Sequence, residues 1–245
     1  ASLARVIGER GLDFVPGSVE LADFDPAATA IAVTIADELQ TLPRPAIEQT
    51  FAKYLSVLRA RIAGTTDWSN YTAYEIRILG ALVRLGWRRE AHELLDFILA
   101  DRRIRPWNQW PEISWRDPRG PSFIGDMPHT WIGAEYILAV HSLFAYSRES
   151  DLSLVIAAGV AETWLADGAE VAVQDLPTEY GRIGYRLRRE TPGCCRISLS
   201  GEPALPAGGL VLAPPLPGEL TEVRIDGEIS TDFGPDWARC RHCPA

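Results

Sequence analysis

The chain has 245 residues, 47% of them hydrophobic and 23% charged, the balance of a folded globular protein with room for one large domain or one domain and a small companion. A formal charge of −9 and a pI near 5.0 exclude the basic face of a general nucleic-acid binder and leave neutral or cationic small molecules as partners. No apolar run approaches the roughly 20 residues needed to span a bilayer, so no membrane partner is expected.

The chain opens on Ala1, and "ASLARVIGERG" lacks a long apolar core followed by a small-residue cleavage site. The expectation is that a start, a signal or a whole preceding segment has been removed, with a periplasmic or secreted location left open. Residues 1 to 11 and 25 to 39 read as two short helices. From 43 to 63, Ile47, Phe51, Tyr54, Leu55, Leu58 and Ile62 recur at three- and four-residue steps and predict a long helix with one apolar face. Two more helices follow at 71 to 87 and 89 to 103. Gly86-Trp87 joins them, which predicts an antiparallel helical hairpin. Another helix is expected to begin near Pro128 and to turn Ile132, Tyr136, Val140 and Phe144 inward.

After about residue 168 the pattern becomes alternation: Val171/Val173, Ile183/Tyr185/Leu187, Ile197/Leu199, Leu210/Leu212 and Val223/Ile225, separated by Gly, Pro and Asp-Gly turns. This predicts a small antiparallel β domain at the spacing of a sandwich. Cys194, Cys195, Cys240 and Cys243 all fall in the last quarter. The two-residue spacing of "CRHC" suits a zinc knuckle or redox pair, but the other pair is adjacent and inside a strand, so unpaired thiols are preferred to a disulfide or a metal site. No metal and no cofactor are expected. His92 and His141 fall inside helices without a second ligand nearby.

Residues 104 to 127 run between two helices for longer than the ~12–15 residues usual for a structureless connection. Together with the following turn, "WNQWPEISWRDPRGPSFIGDMPHTW" at 107 to 131 holds four of the eight tryptophans. Indole faces stack on the apolar face of a pyranose, and Asn, Gln, Asp and Arg bind its hydroxyls; Trp107, Asn108, Trp110, Asp126, His129 and Trp131 are the candidate sugar contacts. Packing of the tryptophans into the end of a helical bundle is the competing reading. Glu112 lies between Trp110 and Trp115, an apolar setting that suits a carboxyl to proton transfer; an ion pair with Arg116 or Arg119 is the alternative. Trp68, Asn70, Tyr71 and Tyr74 in "TTDWSNYTAY" are expected at the same end of the bundle. Asp67 there and Asp126 in "GDMPHTW" are also natural helix caps. Asp126 and His129 could bond each other, and Glu20, Asp23 and Asp25 line the same opening or sit in solvent. There is no G-x-S-x-G elbow, phosphate-cradling glycine loop or H-E-x-x-H.

The order "DWSNYTAYEIRILGALVRLGW", "WPEISWRDPRG", "GDMPHTWIGAEYILAV", then a β domain, resembles the second half of the six-hairpin, (α/α)6-barrel glycosidases, trehalases and processing α-glucosidases among them. The resemblance covers roughly residues 65 to 145 and implies an inverting glycoside hydrolase. By it Glu112 falls at the general-base position, and Trp68, Asn70 and Trp131 fall at substrate-pocket positions. The general acid is then supplied from outside this chain, by a missing N-terminal half of the same protein. The Glu-aromatic-Asp pattern of that family is here Glu112-Ile113-Ser114-Trp115. The expected architecture is mostly α with a C-terminal β domain: a partial toroid of helical hairpins over residues 1–166 and a small antiparallel β-sandwich over 167–245. Its expected function is a carbohydrate-active module taking an oligosaccharide or glycoside. A noncatalytic carbohydrate-binding or structural module is the alternative.

Overall fold

The computed structural model describes residues 2–103, 105–120, 122–201 and 203–242, and it divides into two compact units, Ala1–Val140 and His141–Ala245. The first unit holds α1 (Ser2–Arg10), α2 (Pro26–Thr34), α3 (Arg44–Ile62), α4 (Arg77–Arg84), α5 (Arg88–Ala100) and most of α6 (Thr130–Phe144). Their starts and stops follow local chemistry. Asp25 caps α2 by accepting from the Ala28 N–H at 2.9 Å, and Pro26 takes the first turn, where its missing N–H costs nothing. Gly86, at φ +77°, ends α4: its N–H reaches the Val83 carbonyl and the Trp87 N–H reaches Leu82, a double closure that needs a left-handed residue. The chain then re-enters helix as α5, at the predicted joint.

Helix α4 carries the core of this unit. Every residue from Ile78 to Val83 is buried, because α2 and α5 both pack against it. Phe51, Leu58, Leu79, Leu82, Leu94 and Ile98 are fully enclosed, each contributing about 1.5–3 kcal/mol relative to exposure. The 71–87 helix is shorter than its periodicity suggested. Asn70–Thr72 forms strand β1 instead, and Ala73–Ile76 is a 3-10 turn capped by the Thr72 hydroxyl. The partner of β1 is β2 (Ile113–Trp115), inside the long tryptophan segment.

In the second unit, β3 (Ala145–Arg148) and β4 (Ser153–Ile156) follow α6 directly, a hairpin that was not anticipated. β5 (Glu170–Thr178), β6 (Gly181–Thr191) and β7 (Cys194–Ser200) form an antiparallel meander. β8 (Leu210–Leu212) runs parallel to β4 and antiparallel to β11 (Ala238–Cys240), giving a four-stranded mixed sheet ordered β11-β8-β4-β3. β9 (Val223–Ile225) and β10 (Glu228–Ser230) close a separate hairpin over Asp226-Gly227. Leu154, Ile156, Ile183, Tyr185, Leu187 and Leu210 share one core, and the Tyr185 hydroxyl donates to the Phe144 carbonyl at 3.0 Å.

These elements correct the expected architecture. Helix accounts for 38% and strand for 23%, so the chain is mixed α/β rather than mostly α. Among the described residues there are six short helices and no toroid of stacked hairpins, because the segment from Asn70 to Ile76 spends its residues on a strand and a 3-10 turn. The β region is several small sheets, one with a parallel pair, and not a single antiparallel sandwich. Parallel pairing of β4 with β8 needs a long crossover, and residues 157–209 supply it. With the toroid goes the architectural support for six-hairpin glycosidase chemistry.

Candidate functional site

The site is built on the β1–β2 ladder, whose register sets Asn70 opposite Trp115, Tyr71 opposite Ser114 and Thr72 opposite Ile113. Arg116 extends this joint: its N–H donates to the Ser69 carbonyl and its guanidinium pairs with Asp67 at 2.7 Å. Asp67 therefore ties two segments together and caps no helix. Beneath the ladder, Arg61 forms a two-pronged pair with Glu75 and lies 4.7 Å over the Tyr71 ring, with Trp68 and Phe97 also around it. Tyr71 is buried and its hydroxyl donates to Asp101 at 2.7 Å; burial and the Asp101 charge keep that phenol protonated. Tyr71 and Trp68 are thus supports of the site floor, the former out of reach of any ligand.

The long segment folds back onto the start of α6. His129 donates its backbone N–H to the Trp110 carbonyl, Glu112 to Asp126 and Ile113 to Ile124. Trp110 is 3% exposed, its indole N–H bonded to the Ile98 carbonyl at 2.9 Å and its ring 5.0 Å from Tyr136. It is a plug, as the packing reading required. Trp107 and Trp131 behave oppositely, at 56% and 68% exposed. Asn70 and Asn108 are exposed; Asn108 adopts φ +54°, and its side chain engages Arg102. Phe123, absent from the sequence-derived set, is also largely exposed, and its carbonyl accepts from the Trp115 indole.

Glu112 is half-buried, and among the described residues no hydrogen bond or ion pair reaches its carboxylate. Arg116 is committed to Asp67, and Arg119 is held only through its backbone by Asp117, so neither expected partner takes Glu112. Gly125 explains its placement. A Cβ at this position, where φ is +66°, would stand 2.2 Å from a Glu112 carboxylate oxygen and 2.6 Å from its Cβ. Only a glycine leaves room for the side chain to lie over that backbone.

Beside Glu112, the Tyr74 hydroxyl and His129 Nε2 share a 2.8 Å hydrogen bond, with the rings edge to face. Desolvation holds the Tyr74 phenol above its ordinary value. Arg77, stacked on the ring at 4.2 Å, opposes this, while the charges of Glu112 and Glu135 add to it. Arg77 is itself neutralised by Glu135 at 2.7 Å. His129 is 9% exposed, and its Nδ1 is buried without a hydrogen bond among the described residues, 3.8 Å from the Asp126 carboxylate. The structure thus brings Glu112, Asp126 and His129 together and adds Tyr74 to them. Position within "YTAY" was the only signal for Tyr74; nothing in the sequence paired it with His129.

Elsewhere, His141 bridges the Ala145 and Pro177 carbonyls. Cys243 lies outside the described residues, so the "CRHC" spacing is not resolved into a pair; Cys240 is buried in β11. No protein-family model, curated protein or solved structure matches the chain.

Proposed function

We propose that the Glu112 face of the first unit recognises carbohydrate. The observation that carries this reading is a half-buried carboxylate without a partner among the described residues, in a unit where Glu75 is engaged with Arg61, Asp101 with Arg103, Asp67 with Arg116 and Glu135 with Arg77. A carboxylate left without a partner is an acceptor for ligand hydroxyls. The exposed indoles of Trp107 and Trp131, on the two segments that converge at the start of α6, supply flat apolar surface for a sugar ring.

The test is titration of the whole chain with a panel of mono- and oligosaccharides, followed by calorimetry and by chemical-shift changes. Saturable binding is expected, weakened at least about tenfold by Trp131→Ala and by Glu112→Gln. Absence of saturation across the panel removes the reading. Release of free sugar during the titration would add a catalytic step to the recognition proposed.

A further inference from the structure

We infer that this site selects a saccharide carrying a free, protonated amine over its neutral counterpart; the inference rests on the carbohydrate reading above and specifies the class of ligand. The argument is a donor and acceptor inventory. Glu112, when ionised, only accepts. His129 Nδ1 is buried, has no hydrogen-bond partner among the described residues, and faces the Asp126 carboxylate at 3.8 Å. A ring proton is stabilised on the nitrogen that faces the negative charge. Nε2 is then the lone-pair nitrogen, and the Tyr74 hydroxyl donates to it across 2.8 Å. With its proton committed, the Tyr74 oxygen has only acceptor capacity left for a ligand.

Glu112, Tyr74 and Asp126 therefore present acceptors to a ligand, and the one donor of the cluster, the His129 Nδ1 proton, is buried and faces Asp126. A hydroxyl satisfies one of them; an ammonium group brings three donors and a positive charge. Arg77 lies on the Tyr74 ring and is cancelled by Glu135, so it does not fill the deficit. Asp126 is 86% exposed at its side chain and supplies charge at the mouth, while half-buried Glu112 supplies it inside. Exposed Trp107 and Trp131 add π faces, which attract a cation as well as a pyranose.

The experiment compares three probes on the full chain at one pH and ionic strength: a glucosamine oligomer, its N-acetylated form and a glucose oligomer of equal length. The amine form is expected to bind about tenfold more tightly than either neutral form, the ratio a charge-assisted hydrogen bond to a half-buried carboxylate supports. Glu112→Gln is expected to bring the three affinities within about threefold of one another, with the folded state checked by unfolding midpoint. Tyr74→Phe removes the acceptor while keeping the ring, and lowers the amine preference without abolishing it. Equal affinity for all three probes in the unaltered chain overturns the amine inference and leaves carbohydrate recognition standing. Binding of none overturns both.

Discussion

The Tyr74 hydroxyl meets His129 Nε2 at 2.8 Å across 55 residues of sequence, and this contact joins the 3-10 turn after β1 to the start of α6. His129→Leu leaves the half-buried phenol without its partner and removes the imidazole that fixes its direction. The expected cost is about 1–3 kcal/mol in urea unfolding, with a smaller loss for Tyr74→Phe, which removes the hydroxyl and keeps the ring. Equal stability of all three proteins would show that the contact is not formed in solution.

Gly125 ties backbone conformation to the position of Glu112. Gly125→Ala adds a methyl group where the carboxylate lies and forces a left-handed conformation on alanine. Stability should fall by about 1–2 kcal/mol. Sugar affinity should fall as far as it does in Glu112→Gln, since the carboxylate is displaced in one and neutralised in the other. An alanine variant with intact affinity would place Glu112 outside the binding surface.

Two tryptophans of the same segment separate packing from recognition. Trp110→Ala empties a buried ring and breaks its bond to Ile98, so it should destabilise by about 3–5 kcal/mol. Trp131→Ala should change stability by no more than about 0.5 kcal/mol, because its ring is mostly in solvent. Denaturant midpoints of the two variants, set beside their affinities, measure the separation.

Acid sensitivity of the second unit should centre on Asp151. Burial alone would raise its carboxyl, but hydrogen bonds from Arg148, Ser153 and Arg239 outweigh that and hold it well below the usual carboxylate range. A folded value below the unfolded one means the contribution is full above about pH 4 and is lost as pH falls below it. Asp151→Asn should therefore cost about 1–3 kcal/mol at pH 7, and the gap from the unaltered chain should shrink by pH 3. A gap that stays constant between these pH values refutes the assignment.

The adjacent thiols should differ in reactivity. Burial, with the neighbouring Cys194 charge adding, pushes the Cys195 thiol up to about 11, whereas Cys194 stands exposed at the start of β7. Iodoacetamide at pH 8 should label Cys194 first, as read by peptide mass mapping, since only the thiolate reacts.

Much of the local structure was legible. The three- and four-residue steps of Ile47, Phe51, Tyr54 and Leu58 mark α3, and the alternating Ile183, Tyr185 and Leu187 mark β6. Periodicity reports which face is apolar and not what covers it. The toroid and the sandwich were therefore inferred from element order, which does not fix pairing: β4 runs parallel to β8, and "NYT" leaves the helix to pair with "ISW". In the site, Glu112 was singled out by its tryptophan neighbours. Tyr71 and Trp110 were included for their chemistry and proved to be buried in the floor and the core. The role of Tyr74 depends on a tertiary contact that no local pattern carries.

The β1–β2 ladder also sets an order of assembly. Its two strands are short, and α4 and α5 lie between them in the chain. Joining strands so distant costs closure entropy that three residue pairs do not return by themselves. The helical hairpin is expected to form first and bring the ends close, because its own contacts are local. Arg116 then reaches Asp67, the ladder closes, and Glu112 comes to rest over Gly125 only at the end. The Glu112 face is thus expected to be the last part of this unit to be made and the first to be given up, a region where local opening precedes global unfolding.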